Sequence, residues 1–309
     1  MDNNIKIVLV APVHITPTDE WINALPDCDI IIVDDSNGKV KIDKPNVRMF
    51  DYIKQKELLG DLYEDFEKFH KSSSCKNFGH WLAYNEGYDV IIGIDSDCVC
   101  PPDIIEKHLE ALSMKGGLWE NPLYKIGIYP RGYPYWARDK EVVANVGLWR
   151  DCLDLNGQDR IENEPKETLI TDNKVSLGII PFSGMNWSIK AKYMPLLMFI
   201  PNFGEFRRHD DIFGGYIFQK FLKKAKKCLT YGLPIVRHDS IVIAEEDAKE
   251  EIAMNEYDKM FYEIVDIAME KVSKEKPLEM LYNFRPDFSG TLFGELESSF
   301  NFWRKLWQK

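Results

Sequence analysis

Long hydrophobic runs are missing from this 309-residue sequence, and nothing in it approaches the roughly 20 apolar residues that span a bilayer. The N-terminal segment Met1-Asp2-Asn3-Asn4 is polar and acidic, which is unlike a signal peptide. Cysteine is also scarce, and the six cysteines show neither CxxC spacing nor a disulfide framework. These absences predict a cytoplasmic protein with reduced thiols and no transmembrane segment.

Positive charge is in deficit, with 39 basic residues against 50 acidic residues and a formal net charge of −11. This balance argues against a protein that binds phosphate backbones or anionic lipid, so no DNA binding is expected. An anionic substrate would need a local positive site, made by a metal ion or by a few Arg and Lys residues. The 8 Trp, 14 Tyr and 17 Phe residues suit flat ligands and sugar faces, or they fill the core.

The first third of the chain has the pattern of alternating strands and helices. Ile5 to Val10 and Asp29 to Val33 are short apolar runs that predict buried strands, with a short helix between them from Thr18 to Leu25. Asp89 to Ile94 is the most strand-like segment of the chain. Each strand ends in a polar loop, which predicts an α/β fold whose ligands bind at the carboxyl ends of the strands.

No repeat or low-complexity linker divides the chain, so the predicted boundaries are soft. We expect a nucleotide-binding half at about 1–100, a sugar or acceptor half at about 101–240, and a helical extension at 241–309. The polar stretch from Asn156 to Lys174 predicts a long surface loop or lid. The tail from Gly290 to Lys309 has apolar residues at helical spacing, which favours a helix packed on its own domain over one that contacts a membrane or partner.

The segment Asp95-Ser96-Asp97 follows the strongest predicted strand. Two carboxylates one residue apart can share a hard divalent cation and leave positions open for phosphate oxygens. An Asp-rich turn before the next helix is the competing interpretation. Another apolar run ends at His238, which could supply a further ligand or could be an ordinary surface or core histidine.

Further acidic residues could contact a nucleotide or take part in chemistry. Asp34 and Asp35 follow the second strand and could accept hydrogen bonds from a ribose or a uracil-like ring, or they could build a turn. The adjacent Asp210 and Asp211 repel each other, so one could keep a raised pKa and act as a base. The alternative is a solvated helix N-terminus. Arg138 could pair with a diphosphate or a sugar, or form a surface ion pair.

Taken in order, these segments resemble the reversibly glycosylated polypeptide family, whose plant members are UDP-arabinopyranose mutases with the glycosyltransferase-A fold. The resemblance covers roughly residues 29 to 240, and the shared order makes the set more specific than any single motif. The matching segments are Cys75-Lys-Asn-Phe-Gly79, Asp95-Ser-Asp-Cys98, Tyr133-Pro-Tyr-Trp-Ala-Arg138, Gly147-Leu-Trp149, Phe182-Ser-Gly-Met-Asn186, His209-Asp-Asp-Ile-Phe-Gly214 and Gly232-Leu-Pro-Ile-Val-Arg-His238.

The resemblance implies a glycosyltransferase-A-like, Rossmann-type mixed sheet flanked by helices, with a C-terminal helical extension. It implies a UDP-sugar as substrate (UDP-arabinose, UDP-galactose or UDP-glucose) and Mn²⁺ or Mg²⁺ as cofactor. The metal ligands would be Asp95, Asp97 and His238. The nucleotide would contact residues of the matching segments and of the second strand, namely Lys76, Asn77, Asp95, Ser96, Asp34 and Asp35.

In this family an arginine becomes reversibly glycosylated, and Arg138 fits that position. The pair Asp210-Asp211 matches the acidic catalytic motif. The implied activity is a UDP-sugar pyranose/furanose mutase with self-glycosylation on arginine, in a protein that could form homo- or hetero-oligomers. The alternatives are a glycosyltransferase with a glycan, lipid, protein or nucleic-acid acceptor, and an inactive interaction subunit. Departures from the family pattern, such as Ser96 in place of an acid and Phe213 in place of a tryptophan, bear on the choice of sugar.

Overall fold

The computed structural model describes residues 5–123, 128–163, 170–240, 243–273 and 276–308, and ten strands within these ranges form one mixed sheet. The strand order is β3-β2-β1-β4-β9-β7-β10-β5, with β6 paired to β7 and β8 paired to β10. The strands are β1 (Ile7–Val13), β2 (Asp29–Asp34), β3 (Val47–Phe50), β4 (Val90–Ile94), β5 (Cys98–Val99), β6 (Lys115–Gly116), β7 (Lys140–Asp151), β8 (Lys174–Val175), β9 (Asn186–Lys190) and β10 (Cys228–His238).

Helices cover both faces of this sheet. They are α1 (Asp19–Ala24), α2 (Tyr52–Leu59), α3 (Tyr63–Phe66), α4 (Asn77–Asn85), α5 (Ile104–Ser113), α6 (Gly157–Glu162), α7 (Asp210–Ala225), α8 (Ala244–Glu250), α9 (Ile252–Glu270), α10 (Pro277–Asn283) and α11 (Leu296–Leu306). The predicted α/β fold, a Rossmann-type mixed sheet flanked by helices with a C-terminal helical extension, is confirmed. In the part of the chain that the structure describes, no helix has the length and apolar character needed to cross a membrane.

The predicted strands of the first half are confirmed as β1, β2 and β4. These strands pair in parallel, with Val8 opposite Asp29 and Ile91. The predicted N-cap of the first helix is also confirmed, because Thr18 Oγ1 accepts a hydrogen bond of 3.1 Å from Trp21 N. Local apolar runs and capping residues were sufficient signals for these elements, since each depends on near neighbours in the sequence.

One edge of the sheet collects the carboxyl ends of six strands. Strand β3 is parallel to β2, strand β9 is antiparallel to both β4 and β7, and β7 is parallel to β10, so β1, β2, β3, β4, β7 and β10 all run in the same direction. We call the edge where these six strands end the carboxyl edge and the other the amino edge. Because ligands of open α/β sheets bind where the strands end, the carboxyl edge is where the site is expected.

The central strands pack closely because β4 has a glycine opposite a tryptophan. A Cβ atom on Gly93 would lie 2.2 Å from the ring of Trp187, so no larger residue fits there without movement. Two apolar cores fill the two faces of the sheet. The sheet is continuous from strands of the first hundred residues to β10, and the predicted division into a nucleotide half and a sugar half remains a prediction.

The C-terminal helix α11 packs on the domain itself, as the favoured interpretation predicted. Its residues Phe300, Trp303 and Leu306 are buried, and Trp303 Nε1 donates a 2.9 Å hydrogen bond to Pro195 O. The prediction of a long loop from Asn156 to Lys174 is wrong at its start, where α6 forms. Asn156 caps that helix by accepting a hydrogen bond from Asp159 N, and the helix packs against α8. Residues 164–169 of this stretch lie outside the described residues.

Candidate metal and nucleotide site

Asp95 and Asp97 follow β4 at the carboxyl edge, as predicted, and sheet pairing brings His238 to the same point. The short strand β5 pairs antiparallel with the end of β10, with Cys98 opposite His238. A further backbone hydrogen bond of 2.8 Å runs from Asp239 N to Asp97 O. Asp97, which comes after β4, and His238, the last residue of β10, therefore meet through the pairing of β5 with β10.

The imidazole of His238 is oriented by the backbone on one side and faces Asp97 on the other. Its Nδ1 lies 2.7 Å from Cys152 O, which fixes Nδ1 as the protonated donor, and its Nε2 lies 3.3 Å from Asp97 Oδ2. Burial lowers the pKa of His238, but the neighbouring Asp97 outweighs burial and raises it above the ordinary value. An imidazole held at Nδ1 by a carbonyl is the usual arrangement of a histidine metal ligand.

The residues at this point fit a divalent cation. Among the described residues, Asp97, Cys98 and His238 have potential ligand atoms that all lie within 4.8 Å of one another. Carboxylate and imidazole are ligands that suit Mn²⁺, and carboxylate suits Mg²⁺. Burial strongly raises the pKa of the Cys98 thiol, so this group is not a ready thiolate ligand. The pair Asp97 and His238 is therefore the core of the candidate metal site.

Asp95 is not one of these three residues. Its carboxylate instead forms an ion pair with a buried lysine. Lys76 Nζ lies 2.5 Å from Asp95 Oδ1 and donates a 3.0 Å hydrogen bond to Gly184 O. The Lys76 side chain is fully buried, whereas Asp95 is one-fifth exposed. Burial raises the pKa of Asp95 and Lys76 offsets part of that effect. Lys76 and Asp95, both predicted to contact the nucleotide, are thus brought together as an ion pair beside the candidate metal site.

Asp210 and Asp211 form the first turn of α7, which approaches the same edge. Asp211 accepts hydrogen bonds from Gly184 N at 2.6 Å and from its neighbour Ile212 N at 2.8 Å. Asp210 accepts a hydrogen bond from Ser73 Oγ. Burial, followed by the charge of Asp210, raises the pKa of Asp211 well above its ordinary value. The pair begins a helix, but that helix N-terminus is buried rather than solvated, and Asp211 favours the protonated form.

Asp34 closes a turn rather than facing open space. Its carboxylate accepts hydrogen bonds from Ser36 N at 2.9 Å, from Ser36 Oγ at 2.5 Å and from Gly38 N at 3.0 Å. These bonds form a turn, which was the alternative to nucleotide binding in the interpretation of the sequence. Asp34 thus has a structural function in the loop after β2.

Asp35 is the centre of a buried hydrogen-bond cluster. Its carboxylate lies 2.9 Å from His14 Nδ1 and 2.7 Å from His70 Nδ1, and it accepts a 2.7 Å hydrogen bond from Tyr52 OH. Burial raises the pKa of Asp35, but the partners outweigh it and hold the pKa well below the ordinary range. His14 remains more than one-third exposed, so it is the member of this cluster that a nucleotide could reach.

Two other residues predicted to bind the nucleotide have different surroundings. Asn77 uses its amide inside the core, where Nδ2 donates to Phe199 O at 2.7 Å and Oδ1 accepts from Phe199 N at 3.0 Å. Ser96 lies between the two aspartates of the carboxyl edge and is partly exposed. Ser96 is therefore accessible to a ligand, whereas the amide of Asn77 is occupied.

The structure does not bring Arg138 to the carboxyl edge. Arg138 precedes β7 at the amino edge, and the twelve residues of β7 end at Asp151, which pairs with His238. At about 3.3 Å per residue, the start of β7 lies about 35 Å from its end. The guanidinium of Arg138 stacks 4.0 Å from the ring centroid of Tyr135 and donates a 2.8 Å hydrogen bond to Tyr133 O.

Several residues of the site escaped the sequence analysis. Gly184 lies within a segment that the resemblance had marked, and its backbone contacts both Lys76 and Asp211. His14, His70 and Ser73 carried no signal, because a lone histidine or serine in a loop is common and its partner is distant in the sequence. Cys152 contributes only its backbone oxygen, which no side-chain pattern could reveal.

Comparison with known proteins gives one family. The model of the reversibly glycosylated polypeptide family matches residues 1–309. No curated protein matches the sequence. Among solved structures, a mycobacterial protein shares 12% identity with a TM-score of 0.46, covering 86% of this chain and 74% of that chain.

Two further structures are of glucosyl-3-phosphoglycerate synthase from Mycobacterium tuberculosis. The one in complex with Mn²⁺, uridine diphosphate and phosphoglyceric acid has 12% identity and a TM-score of 0.44, covering 82% of this chain and 78% of that chain. The one with Mg²⁺ and uridine diphosphate has 12% identity and a TM-score of 0.43, covering 82% and 79%.

Proposed function

The chain belongs to the reversibly glycosylated polypeptide family, and from this premise we propose that it is a metal-dependent enzyme that acts on a UDP-sugar. The observation that carries the proposal is the contact between Asp97 and His238, in which His238 Nε2 lies 3.3 Å from Asp97 Oδ2 while Nδ1 is held by Cys152 O. Asp97 and His238 would hold Mn²⁺ or Mg²⁺, with Asp95 as the remaining carboxylate of the set.

The charge of the site supports a metal. Asp95, Asp97, Asp210 and Asp211 contribute carboxylates at the carboxyl edge, and the buried Lys76 is already paired with one of them. A diphosphate would be repelled by such a cluster without an additional cation. When bound, a divalent cation neutralises the negative charge that builds on the departing diphosphate.

The chain's own residues supply the remaining functions. Lys76 lies beside Asp95 and can extend positive charge toward a phosphate group. His14, which Asp35 orients, is the exposed group at the end of β1 and would contact the base or ribose. Asp211, which backbone hydrogen bonds hold in one orientation, can stabilise positive charge on the sugar ring or accept a proton.

The finer proposal is a pyranose/furanose mutase with reversible self-glycosylation on arginine, acting on UDP-arabinose, UDP-galactose or UDP-glucose. Family membership supports it. A mutase would retain the cleaved sugar until a different hydroxyl closes the ring and UDP returns. A cytoplasmic location and assembly into homo- or hetero-oligomers are part of this proposal.

The second candidate is a glycosyltransferase that passes the sugar to an outside acceptor. The position of Arg138 favours it, because about 35 Å of strand separates that residue from the metal site within one chain. Both candidates use the same metal and the same UDP site.

The deciding experiment incubates the pure protein with Mn²⁺ and UDP-arabinopyranose or UDP-galactopyranose in the absence of acceptor. A mutase produces the furanose isomer, which chromatography and NMR detect, and Asp97→Asn serves as the inactive control. Release of UDP without any furanose indicates a transferase. If calorimetry with Mn²⁺ detects no binding of UDP to the wild-type protein, the proposal of a UDP-sugar enzyme is wrong.

A further inference from the structure

Exposed aromatic side chains line a cleft at the amino edge, far from the metal site. The indoles of Trp119 and Trp136 are 50% and 58% exposed, and their ring centroids are 6.3 Å apart in a T-shaped arrangement. The neighbouring Tyr135 is 85% exposed. Large aromatic residues are normally covered, so three exposed rings in one place indicate a binding surface.

The cleft lies beside the start of β10, whereas the metal site lies at its end. Two adjoining cavities of about 820 and 320 Å³ form it, and they share Trp119 and Leu177 as common walls. Ten residues of β10, or about 30 Å, separate Cys228 in the smaller cavity from His238. We call these two cavities together the aromatic cleft.

Hydrogen bonds hold the backbone segments that carry the aromatic residues. Tyr133 OH donates to Trp119 O at 2.7 Å and accepts a 3.0 Å hydrogen bond from Trp119 N. The guanidinium of Arg138 stacks on Tyr135 and donates to Tyr133 O. These segments are therefore ordered before a ligand binds, which limits the backbone entropy lost on binding.

The lining of the aromatic cleft combines flat rings with hydrogen-bonding groups. Glu120 and Lys174 provide a carboxylate and an ammonium group, and Ser176 provides a hydroxyl. This mixture differs from the continuous apolar surface that a lipid chain or a protein helix requires. A carbohydrate presents flat apolar ring faces and a rim of hydroxyls, which match rings and polar groups respectively. The smaller cavity adds the ammonium groups of Lys223, Lys226 and Lys227 to this lining, and Lys227 is paired with Glu141.

We propose that the aromatic cleft binds an oligosaccharide chain, with sugar rings stacked on Trp119 and Trp136. Binding requires no metal and no nucleotide, because the cleft lies at the opposite edge of the sheet from Asp97 and His238. The proposal therefore does not depend on which reaction the carboxyl edge performs.

Titration calorimetry of the full chain with cellohexaose, xylohexaose and mannohexaose tests this proposal. We expect binding of at least one of them with a Kd of about 0.1 to 1 mM, as for a small exposed site. Trp119→Ala and Trp136→Ala should each weaken binding at least tenfold, whereas Trp119→Tyr and Trp136→Tyr should retain most of it. Ile267→Ala, which removes an exposed apolar side chain on α9, should leave binding unchanged.

Circular dichroism and thermal unfolding establish that each variant folds. Absence of binding by all three hexaoses at 10 mM, roughly tenfold above the weakest expected Kd, overturns the proposal. Equal binding by the wild type and both alanine variants also overturns it. Sedimentation that shows an oligomer in the wild type and a monomer in the alanine variants, without saccharide binding, identifies the cleft as an interface between copies and likewise overturns it.

Discussion

Lys76 Nζ lies 2.5 Å from Asp95 Oδ1, and the lysine side chain is fully buried. The ammonium group also lies 4.8 Å from the ring centroid of Phe199. Burial by itself lowers the pKa of Lys76, but Asp95 outweighs it and raises that pKa. The protein thus keeps a buried cation next to the carboxylate of Asp95.

Replacing Lys76 with methionine should be strongly destabilising. Removal of one partner of a buried ion pair leaves the other uncompensated and typically costs about 3 to 5 kcal/mol. We expect the free energy of unfolding from urea titration to fall by about that amount. Lys192→Met is the matched control, because Lys192 is exposed and shares Glu141 with two other lysines, so its loss should cost less than about 1 kcal/mol. Similar losses in the two variants would contradict the importance of the buried pair.

Asp97→Asn and His238→Gln should each reduce Mn²⁺ affinity at least tenfold, because each removes a ligand of the candidate site. Electron paramagnetic resonance of free Mn²⁺ provides the measurement. Asp239→Asn is the control, since Asp239 adjoins His238 but its carboxylate pairs with Arg237. Unchanged Mn²⁺ affinity in both ligand variants would place the metal elsewhere.

Asp211→Asn should reduce turnover about 100-fold or more while leaving the Kd for UDP within about twofold, because the loss of an acid or base affects chemistry more than binding. The stability of this variant should fall, because both carboxylate oxygens of Asp211 accept backbone hydrogen bonds, from Gly184 N and Ile212 N, and an amide has only one acceptor oxygen. A large rise in the Kd for UDP with unchanged turnover would instead indicate a binding role.

Stability should decrease as the pH falls below about 6.5, in part because of His108. Its Nε2 lies 3.1 Å from Asn186 Oδ1 and its Nδ1 lies 3.0 Å from Asn145 Nδ2, so the neutral ring satisfies both amides. Burial lowers the pKa of His108 to about 3. In the unfolded chain His108 becomes protonated near pH 6.5, whereas in the folded chain it stays neutral down to about pH 3. Protonation therefore favours the unfolded state, and stability that is present above pH 6.5 is lost as the pH falls below it.

Between pH 7.5 and pH 5.5, the free energy of unfolding of His108→Gln should fall by up to about 1.4 kcal/mol less than that of the wild type. Urea unfolding at the two pH values measures this difference. The buried His80 has its pKa lowered in the same direction, so part of the pH dependence should remain in the variant. An identical pH dependence in the wild type and His108→Gln would show that His108 is not buried in the neutral form.

Sugar attachment to Arg138 should occur between molecules, because the residue lies at the amino edge and the metal site at the carboxyl edge. In a preparation that is not preassembled, the initial rate of labelling from a UDP-sugar should rise with the square of protein concentration. Mixing Asp97→Asn with Arg138→Lys tests this directly, since label should appear on the Asp97→Asn chain by mass spectrometry. First-order labelling of a verified monomer at Arg138 would contradict the separation seen in the structure.

The sequence determined those parts of the fold that depend on near neighbours. The apolar runs of β1, β2 and β4, the Thr18 cap and the spacing of Leu296, Phe300, Trp303 and Trp307 each predicted an element that the structure contains. The local sequence also predicted that Asp95 and Asp97 lie at the end of a strand, because they form a polar segment directly after a buried apolar run. Conversely, the helix α6 was missed because six residues carry too little periodic signal.

Tertiary structure alone decided which of the candidate residues meet. The pairing of β5 with β10 sets His238 against Asp97, and the burial of Lys76 sets its ammonium against Asp95. The length of β7 carries Arg138 to the opposite edge, although the sequence had grouped it with the site. Strand direction and register are set by contacts between residues far apart in the chain, and no local pattern encodes such distances.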